Sequence, residues 1–142
     1  MLVAGGAIGF ALGTRYAVAN LVPRAEFGVV MYSGMIASAE RLHGTDTTYE
    51  SSLRSYVALL DSLSARDATE SFRQIYAADK ALSLVRLADL AEKRGSSAES
   101  TRLTADALAV CSTSGLSYCS SIELRQRAQK MDVIFETTTQ PK

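Results

Sequence analysis

Apolar residues in the middle and last parts of this chain recur at helical spacing. Five of them follow one another at intervals of four, three, four and three residues: Tyr49, Leu53, Tyr56, Leu60 and Leu63. A second stripe runs through the last part of the chain: Leu124, Ala128, Met131 and Phe135. Such spacing places the apolar residues on one side of an α-helix. The pattern therefore predicts an all-α fold.

Residues 81–91 differ, because apolar side chains cover most of the helical circumference there. Only Ser83, Arg86 and Asp89 form a narrow polar seam. A helix that is apolar on most of its surface contacts several neighbours, so we expect this third helix to lie at the centre of a compact bundle. Two states of the seam are open. Arg86 and Asp89 are either a hydrogen-bonded pair buried under another helix, or they line a wet groove that a partner can reach.

Start and stop signals divide the chain into five predicted helices. Four segments begin with a capping residue and have glutamate three positions later, as in a capping box: 47–50, 67–70, 96–99 and 120–123. Helix ends are indicated by Gly44, Gly95, Gly115 and the break at 64–66. The predicted helices are 24–43, 47–63, 68–94, 97–112 and 121–136. They form one helical domain, 23–136, which is followed by a flexible tail at 137–142.

The first twenty-two residues contain a single charged side chain, Arg15, and precede Pro23. Residues 2–22 are long enough to cross a hydrocarbon core as a helix, and we expect them to be a retained signal-anchor. Alternatively, they are a signal peptide cleaved after Ala19 or a buried soluble helix. Gly5, Gly9 and Gly13 would lie on one helix face, where another transmembrane helix packs closely. Residues 1–22 are therefore predicted to be a membrane anchor or signal segment.

The chain has two cysteines, Cys111 and Cys119, on either side of a turn-forming segment that contains Gly115. We expect them to form a disulfide, which would place the domain in an oxidising compartment; two free thiols are the alternative. The positive-inside rule points the other way, because Arg15 and Arg24 flank the C-terminal side of the apolar segment. We give the cysteine pair more weight and expect the helical domain in the periplasm.

Composition argues against several classes of function. Fifteen basic residues balance fifteen acidic ones, whereas nucleic-acid binding depends on a basic surplus. The single histidine, His43, cannot complete a zinc site with two cysteines. The sequence has no P-loop, dinucleotide-binding glycine pattern or serine-nucleophile motif. We therefore expect no metal, no cofactor, no small-molecule substrate and no enzymatic activity.

These observations favour a protein-interaction function. We expect a helical domain tethered to the inner membrane, which acts as an accessory or scaffold subunit of a cell-envelope complex. The alternative is a soluble periplasmic inhibitor or immunity-type protein that binds a toxin or hydrolase. Tyr49, Tyr56 and Arg86 are the candidate partner surface, because tyrosine and arginine are enriched at interfaces. The competing interpretation of the tyrosines is that they line the core.

Overall fold

The computed structural model describes residues 27–65 and 70–139, and in these two ranges all regular structure is α-helical. The described part of α1 covers 27–43. It is followed by α2 (Asp46–Ser64), α3 (Glu70–Lys93), α4 (Ser97–Thr113) and α5 (Ser121–Thr139). The predicted all-α class and the five-helix bundle are confirmed for this part of the chain. The last helix extends three residues beyond its predicted end.

The helix α3 packs against α2, α4 and α5. Eight consecutive or near-consecutive positions in its second half are buried: Ala81, Leu82, Ser83, Leu84, Val85, Leu87, Ala88 and Ala91. These residues form the main core together with apolar side chains of the three neighbouring helices, such as Leu53, Leu103 and Leu124. Burial on this scale is what the apolar circumference of α3 requires, since each buried aliphatic side chain stabilises the fold by roughly 1.5–3 kcal/mol.

A second, smaller core joins α1 to the second half of α2 and the first half of α3. Val30 of α1 lies in one cluster with Tyr56, Leu60, Leu63 and Tyr76. The ring of Phe72, on α3, packs between those of Phe27 and Tyr76 at centroid distances of 6.2 and 6.1 Å. Offset or tilted rings at this separation attract one another beyond simple burial. The start of α1 is therefore held by aromatic packing against α3.

Two of the predicted capping boxes are wrong in their hydrogen bonds. The N-cap of α2 is Thr45, and its reciprocal partner is Thr48 rather than the predicted pair at 47–50. Ser96 does cap α4 by position, but its side chain makes no capping hydrogen bond. The corresponding glutamates, Glu50 and Glu99, bind arginines instead, because charge-assisted bonds to a guanidinium compete with a single backbone N–H.

Those arginines connect three helices. Arg54 donates to Glu50 at 2.7 Å and to Glu99 at 2.6 Å. Arg94, just beyond the end of α3, pairs with the same two carboxylates. The hydrogen bond from Arg54 lowers the pKa of Glu99. The cluster thus fastens α2, the end of α3 and the start of α4 at the surface of the bundle.

The capping box at 120–123 is confirmed. The Ser120 hydroxyl accepts from the Glu123 N–H, and Glu123 accepts from both the N–H and the hydroxyl of Ser120. The predicted box at 67–70 falls partly outside the described residues. Local sequence therefore determines the start of α5 directly.

Glycine ends two helices for different reasons. Gly95 has a φ of +79°, and the N–H groups of Gly95 and Ser96 donate back to Glu92 and Ala91 in a Schellman motif. A side chain there would strain the backbone. At Gly44 the constraint is space, because an added Cβ would lie 2.7 Å from the carbonyl oxygen of Glu40.

Cys111 and Cys119 are paired as a disulfide, with their Cα atoms 5.5 Å apart. The bond closes the loop between α4 and α5, which for a loop this short stabilises the fold by about 2.5 kcal/mol in the chain-entropy model. Tyr118 lies in this loop, and the guanidinium of Arg127 on α5 lies over its ring, 3.7 Å from the ring centroid. The predicted pairing of the cysteines is confirmed, and the loop is attached to α5 as well as to α4.

The helices in 27–65 and 70–139 do not include one that is both long and apolar enough to cross a membrane. Residues 1–22, which the sequence predicts to be the anchor or signal segment, lie outside the described part of the chain.

Replacing Leu87 with alanine tests the position of α3. Leu87 is 3% exposed and belongs to the main core, so we expect Leu87→Ala to lower the free energy of unfolding by about 2–5 kcal/mol. Ile75→Ala, at an exposed position of the same helix, should cost less than about 1 kcal/mol. Urea denaturation measures both, and equal costs would contradict a central α3.

Candidate functional site

A cavity of about 220 Å³ opens between α1, α2, α3 and α5. Its walls are partly apolar, with Val30 and Leu53 among them, but four charged side chains also line it: Arg41, Asp79, Arg86 and Asp132. Charged groups at such a site are expensive to desolvate unless each is paired. The pairing of these four groups therefore determines what the cavity can do.

Asp132 of α5 is shared by two arginines. Arg86 of α3 donates to its carboxylate at 2.7 Å, and Arg41 of α1 lies 3.7 Å from the same oxygen. Arg41 also donates to the main-chain carbonyl of Asp132 and, at 2.8 Å, to the carboxylate of Glu136. A weaker bond runs from Arg86 to the carbonyl of Ala128, at 3.3 Å. The second half of α5 is thus fastened to α3 and to α1 by guanidinium groups.

Asp79 of α3 also lines the cavity. It accepts a hydrogen bond of 2.8 Å from the hydroxyl of Tyr56. Burial raises the pKa of Asp79 above its ordinary value, although the bond from Tyr56 and the charge of Arg86 both oppose the shift. Burial, together with the negative charge of Asp79, also raises the pKa of Tyr56. The pair therefore joins α2 to α3 through a carboxylate whose charged form is destabilised by burial.

The structure places the predicted partner residues in this region, inside the bundle. Tyr49 and Tyr56 are each 8% exposed, and burial raises the pKa of Tyr49 to about 12. The side chain of Arg86 is 19% exposed and is engaged with α5. All three residues are therefore largely covered by the bundle, and Tyr56 and Arg86 have hydrogen-bond partners in the same chain.

The two charged residues of the polar seam of α3 are not paired with each other. Arg86 binds Asp132, and Asp89 accepts a bond of 2.8 Å from Arg125. Both partners come from α5, and Arg86 is largely covered whereas Asp89 is exposed, so the seam corresponds to neither of the two states left open by the sequence. Residues three apart on one helix compete poorly for each other when a neighbouring helix presents opposite charges to both.

Exposed apolar residues of the described part of the chain lie on α1 and also on α5, where Val133 and Ile134 are half-exposed. Val29, Tyr32 and Ile36 are exposed, Tyr32 by 67%; we call these three residues the outer face of α1. They point away from Val30 and Ala37, the buried residues of the same helix. Where α1 meets α5, the cavity mouth is bordered by Met31, Met35 and Met131, which we call the methionine rim.

Sequence reasoning missed Asp79, Asp132, Arg41 and the methionine rim. The spacing of Met31 and Met35 was visible, because residues four apart share a helix face. Their approach to Met131 depends on the pairing of α1 with α5, which no local pattern encodes. Gly5, Gly9 and Gly13, the predicted packing face of the first segment, lie outside the described residues.

The arginine at the cavity can be compared with a surface arginine. Arg86 has partners on α5, whereas Arg102 is 62% exposed and pairs with Asp106 on its own helix. We expect Arg86→Ala to reduce the free energy of unfolding by about 2 kcal/mol, because it removes a part-buried bond to a charged group. Arg102→Ala should cost less than about 1 kcal/mol. Chemical denaturation of the two variants is the measurement, and equal small costs would mean that α5 does not depend on Arg86.

The raised pKa of Asp79 predicts a pH-dependent effect of its replacement. A carboxyl with a raised pKa in the folded state stabilises the fold fully below its unfolded pKa of about 3.9, and this contribution is lost as pH rises through the folded value. Asp79→Asn keeps an oxygen that accepts from Tyr56 but removes the charge. We therefore expect the variant to melt at a higher temperature than the wild type at pH 7, with the difference shrinking towards pH 4.

A matched control for this prediction is Asp106→Asn, at an exposed carboxylate of α4. Its melting temperature should differ little from that of the wild type at either pH, because surface pairs contribute little. An Asp79→Asn variant that is less stable than the wild type at pH 7 would show that the charge of Asp79 stabilises the fold.

Comparison with known proteins adds no relative to this description. No family model, no curated protein and no solved structure matches the chain. The function is therefore inferred from the packing, charge and exposure of the residues themselves.

Proposed function

We propose that this chain is a non-enzymatic helical subunit of a cell-envelope complex. In this proposal residues 2–22 tether it to the inner membrane, and the helical domain lies in the periplasm, where it binds another protein as an accessory or scaffold subunit. The observation that carries the proposal is the outer face of α1, an apolar surface on a helix that also contributes Val30 and Ala37 to the core.

The geometry of α1 supports protein binding at that face. At about 100° per residue, Val29, Tyr32 and Ile36 share one side of the helix. They lie about 80–160° around its axis from the buried residues Val30 and Ala37. The outer residues follow spacings of three and four, the pattern by which one helix packs against another. A helix that is apolar on both sides is covered on both sides in a stable assembly. The outer face thus favours a helical partner.

The position of this surface along the chain supports the tether. The helix α1 is the first described element after the apolar segment 1–22. A partner that binds α1 would therefore lie close to the point at which the segment leaves a membrane. A membrane protein, or a subunit attached to one, is the kind of partner that meets this condition.

The disulfide supports the periplasmic side. Bonds such as Cys111–Cys119 persist in oxidising compartments and are rare where thiols are kept reduced. The charged groups of the cavity support a structural role, because Arg41, Arg86, Asp79 and Asp132 each have a partner within the chain. Because these groups are engaged within the bundle, the proposal assigns recognition to the outer face of α1.

The test uses the full chain in its native host. Membranes are solubilised in mild detergent, and the size of the assembly that contains the protein is measured by native electrophoresis. We expect the wild type to migrate well above the mass of one chain in its micelle, and Ile36→Glu to migrate as the small species. A charge at this exposed position leaves the fold intact but cannot be buried against an apolar partner.

Ile122→Glu is the matched control. Ile122 is also an exposed isoleucine, but it lies in the first turn of α5, away from the cavity mouth that borders α1. This variant should remain in the large assembly. Thermal melts of both purified variants establish that they fold. A wild type that migrates alone, or that is released by osmotic shock without residues 1–19, would contradict the tethered-subunit proposal and favour a soluble periplasmic inhibitor.

A further inference from the structure

Three of the four methionines of this chain line one cavity. Met31 and Met35 lie four residues apart on α1, and Met131 lines the same cavity from α5. Their exposed fractions are 52%, 56% and 52%. Methionine usually fills gaps inside cores, so three half-exposed methionines around one opening call for an explanation beyond packing.

What the three side chains share, and what leucine would lack, is a thioether sulfur. Residues four apart on a helix project from the same face, so Met31 and Met35 line the cavity from one side of α1, and Met131 lines it from α5. Each side chain has three rotatable bonds, which allows the sulfurs to turn towards a common point. Half-exposed side chains retain this freedom, whereas buried ones do not.

Thioethers are soft, neutral donors that select Cu(I) over harder cations. Unlike a thiol, a thioether needs no deprotonation to bind, and it forms no disulfide. It therefore suits a protein whose two cysteines are already joined to each other. The expectation from the sequence that no metal is bound concerns sites built from histidine, cysteine and carboxylate ligands. It does not extend to thioether ligands.

The surrounding charges do not oppose a monovalent cation. Arg41 and Arg86 line the same cavity, but the carboxylates of Asp132 and Glu136 neutralise them at short distance. Asp79 adds a further carboxyl group to the lining. A cation at the rim thus meets a region in which positive charge is already paired.

We propose that Met31, Met35 and Met131 form a three-sulfur site for Cu(I). The site binds the ion by dative bonds alone, and copper undergoes no change of oxidation state in binding. It joins α1 to α5 at the cavity mouth, next to the outer face of α1 but on different residues.

The test uses the full-length protein with its disulfide intact. Cu(I), kept reduced by ascorbate without oxygen, is held by the chromophoric chelator bicinchoninate, and protein is titrated in. We expect the wild type to withdraw one equivalent of copper from the chelator. X-ray absorption at the copper edge should then show three sulfur neighbours. Thiol assay before and after titration shows that Cys111 and Cys119 remain paired.

Methionine-to-leucine variants separate sulfur ligation from apolar packing, because leucine keeps nearly the same apolar volume. Met131→Leu should weaken Cu(I) binding by at least about tenfold, since loss of even an outer-shell group costs that much at many metal sites. The triple leucine variant should leave all copper with the chelator. His43→Ala, which removes the one histidine, should bind as the wild type does.

Two results would overturn the site: copper that stays on the chelator with wild-type protein, or equal withdrawal by the triple leucine variant. Native electrophoresis of the same leucine variants keeps this test apart from that of the proposed function. The outer face of α1 is unchanged in them, so their assembly should be that of the wild type whether or not copper binds.

Discussion

Arg86 of α3 donates a hydrogen bond to the carboxylate of Asp132 on α5, and Arg41 of α1 forms an ion pair with the same carboxylate. Much of the architecture depends on this contact. The apolar surface of α3 has to be covered by other helices, yet α3 also carries the charged side chains of Arg86 and Asp79. Each charge is tolerated only where a neighbour supplies a partner. The packing of α2, α5 and α1 around α3 therefore depends on the polar contacts of Arg86 and Asp79 as well as on buried apolar area.

The helix α1 contributes one side to the core and exposes apolar residues on another. Its inner side completes the smaller core through Val30 and is fastened to α5 through Arg41. Its outer side remains apolar and uncovered among the residues described. The two sides are coupled through the same backbone, because whatever binds the outer face also holds the residues that close the cavity. Under the proposed function, partner binding and the stability of the bundle would both depend on α1.

Much of the helical fold could be predicted from the sequence, because helix starts, ends and faces depend on neighbours within a few positions. The stripe of α2 and the capping box at Ser120 are such local features. The capping roles predicted for Glu50 and Glu99 are wrong because both carboxylates pair with arginines. Arg54 binds Glu50 within α2 and Glu99 of α4, and Arg94, just beyond α3, binds both. The same holds for the tyrosines of α2, whose spacing showed a shared face but not that the face was covered. Helix pairing, which brings Met131 to Met31, is decided by the whole bundle.

Arg41 shows what a side chain shared among several acceptors means for change over evolutionary time. Its planar guanidinium reaches the carbonyl of Asp132 and the carboxylate of Glu136, two positions one helical turn apart. Lysine carries the same charge at a single point and cannot hold both at once. Substitution by lysine, harmless at most surface arginines, would here release one turn of α5 while leaving net charge unaltered. The chain has eleven arginines and four lysines. At position 41 the reason for arginine is the planar shape of its guanidinium, which reaches two acceptors at once.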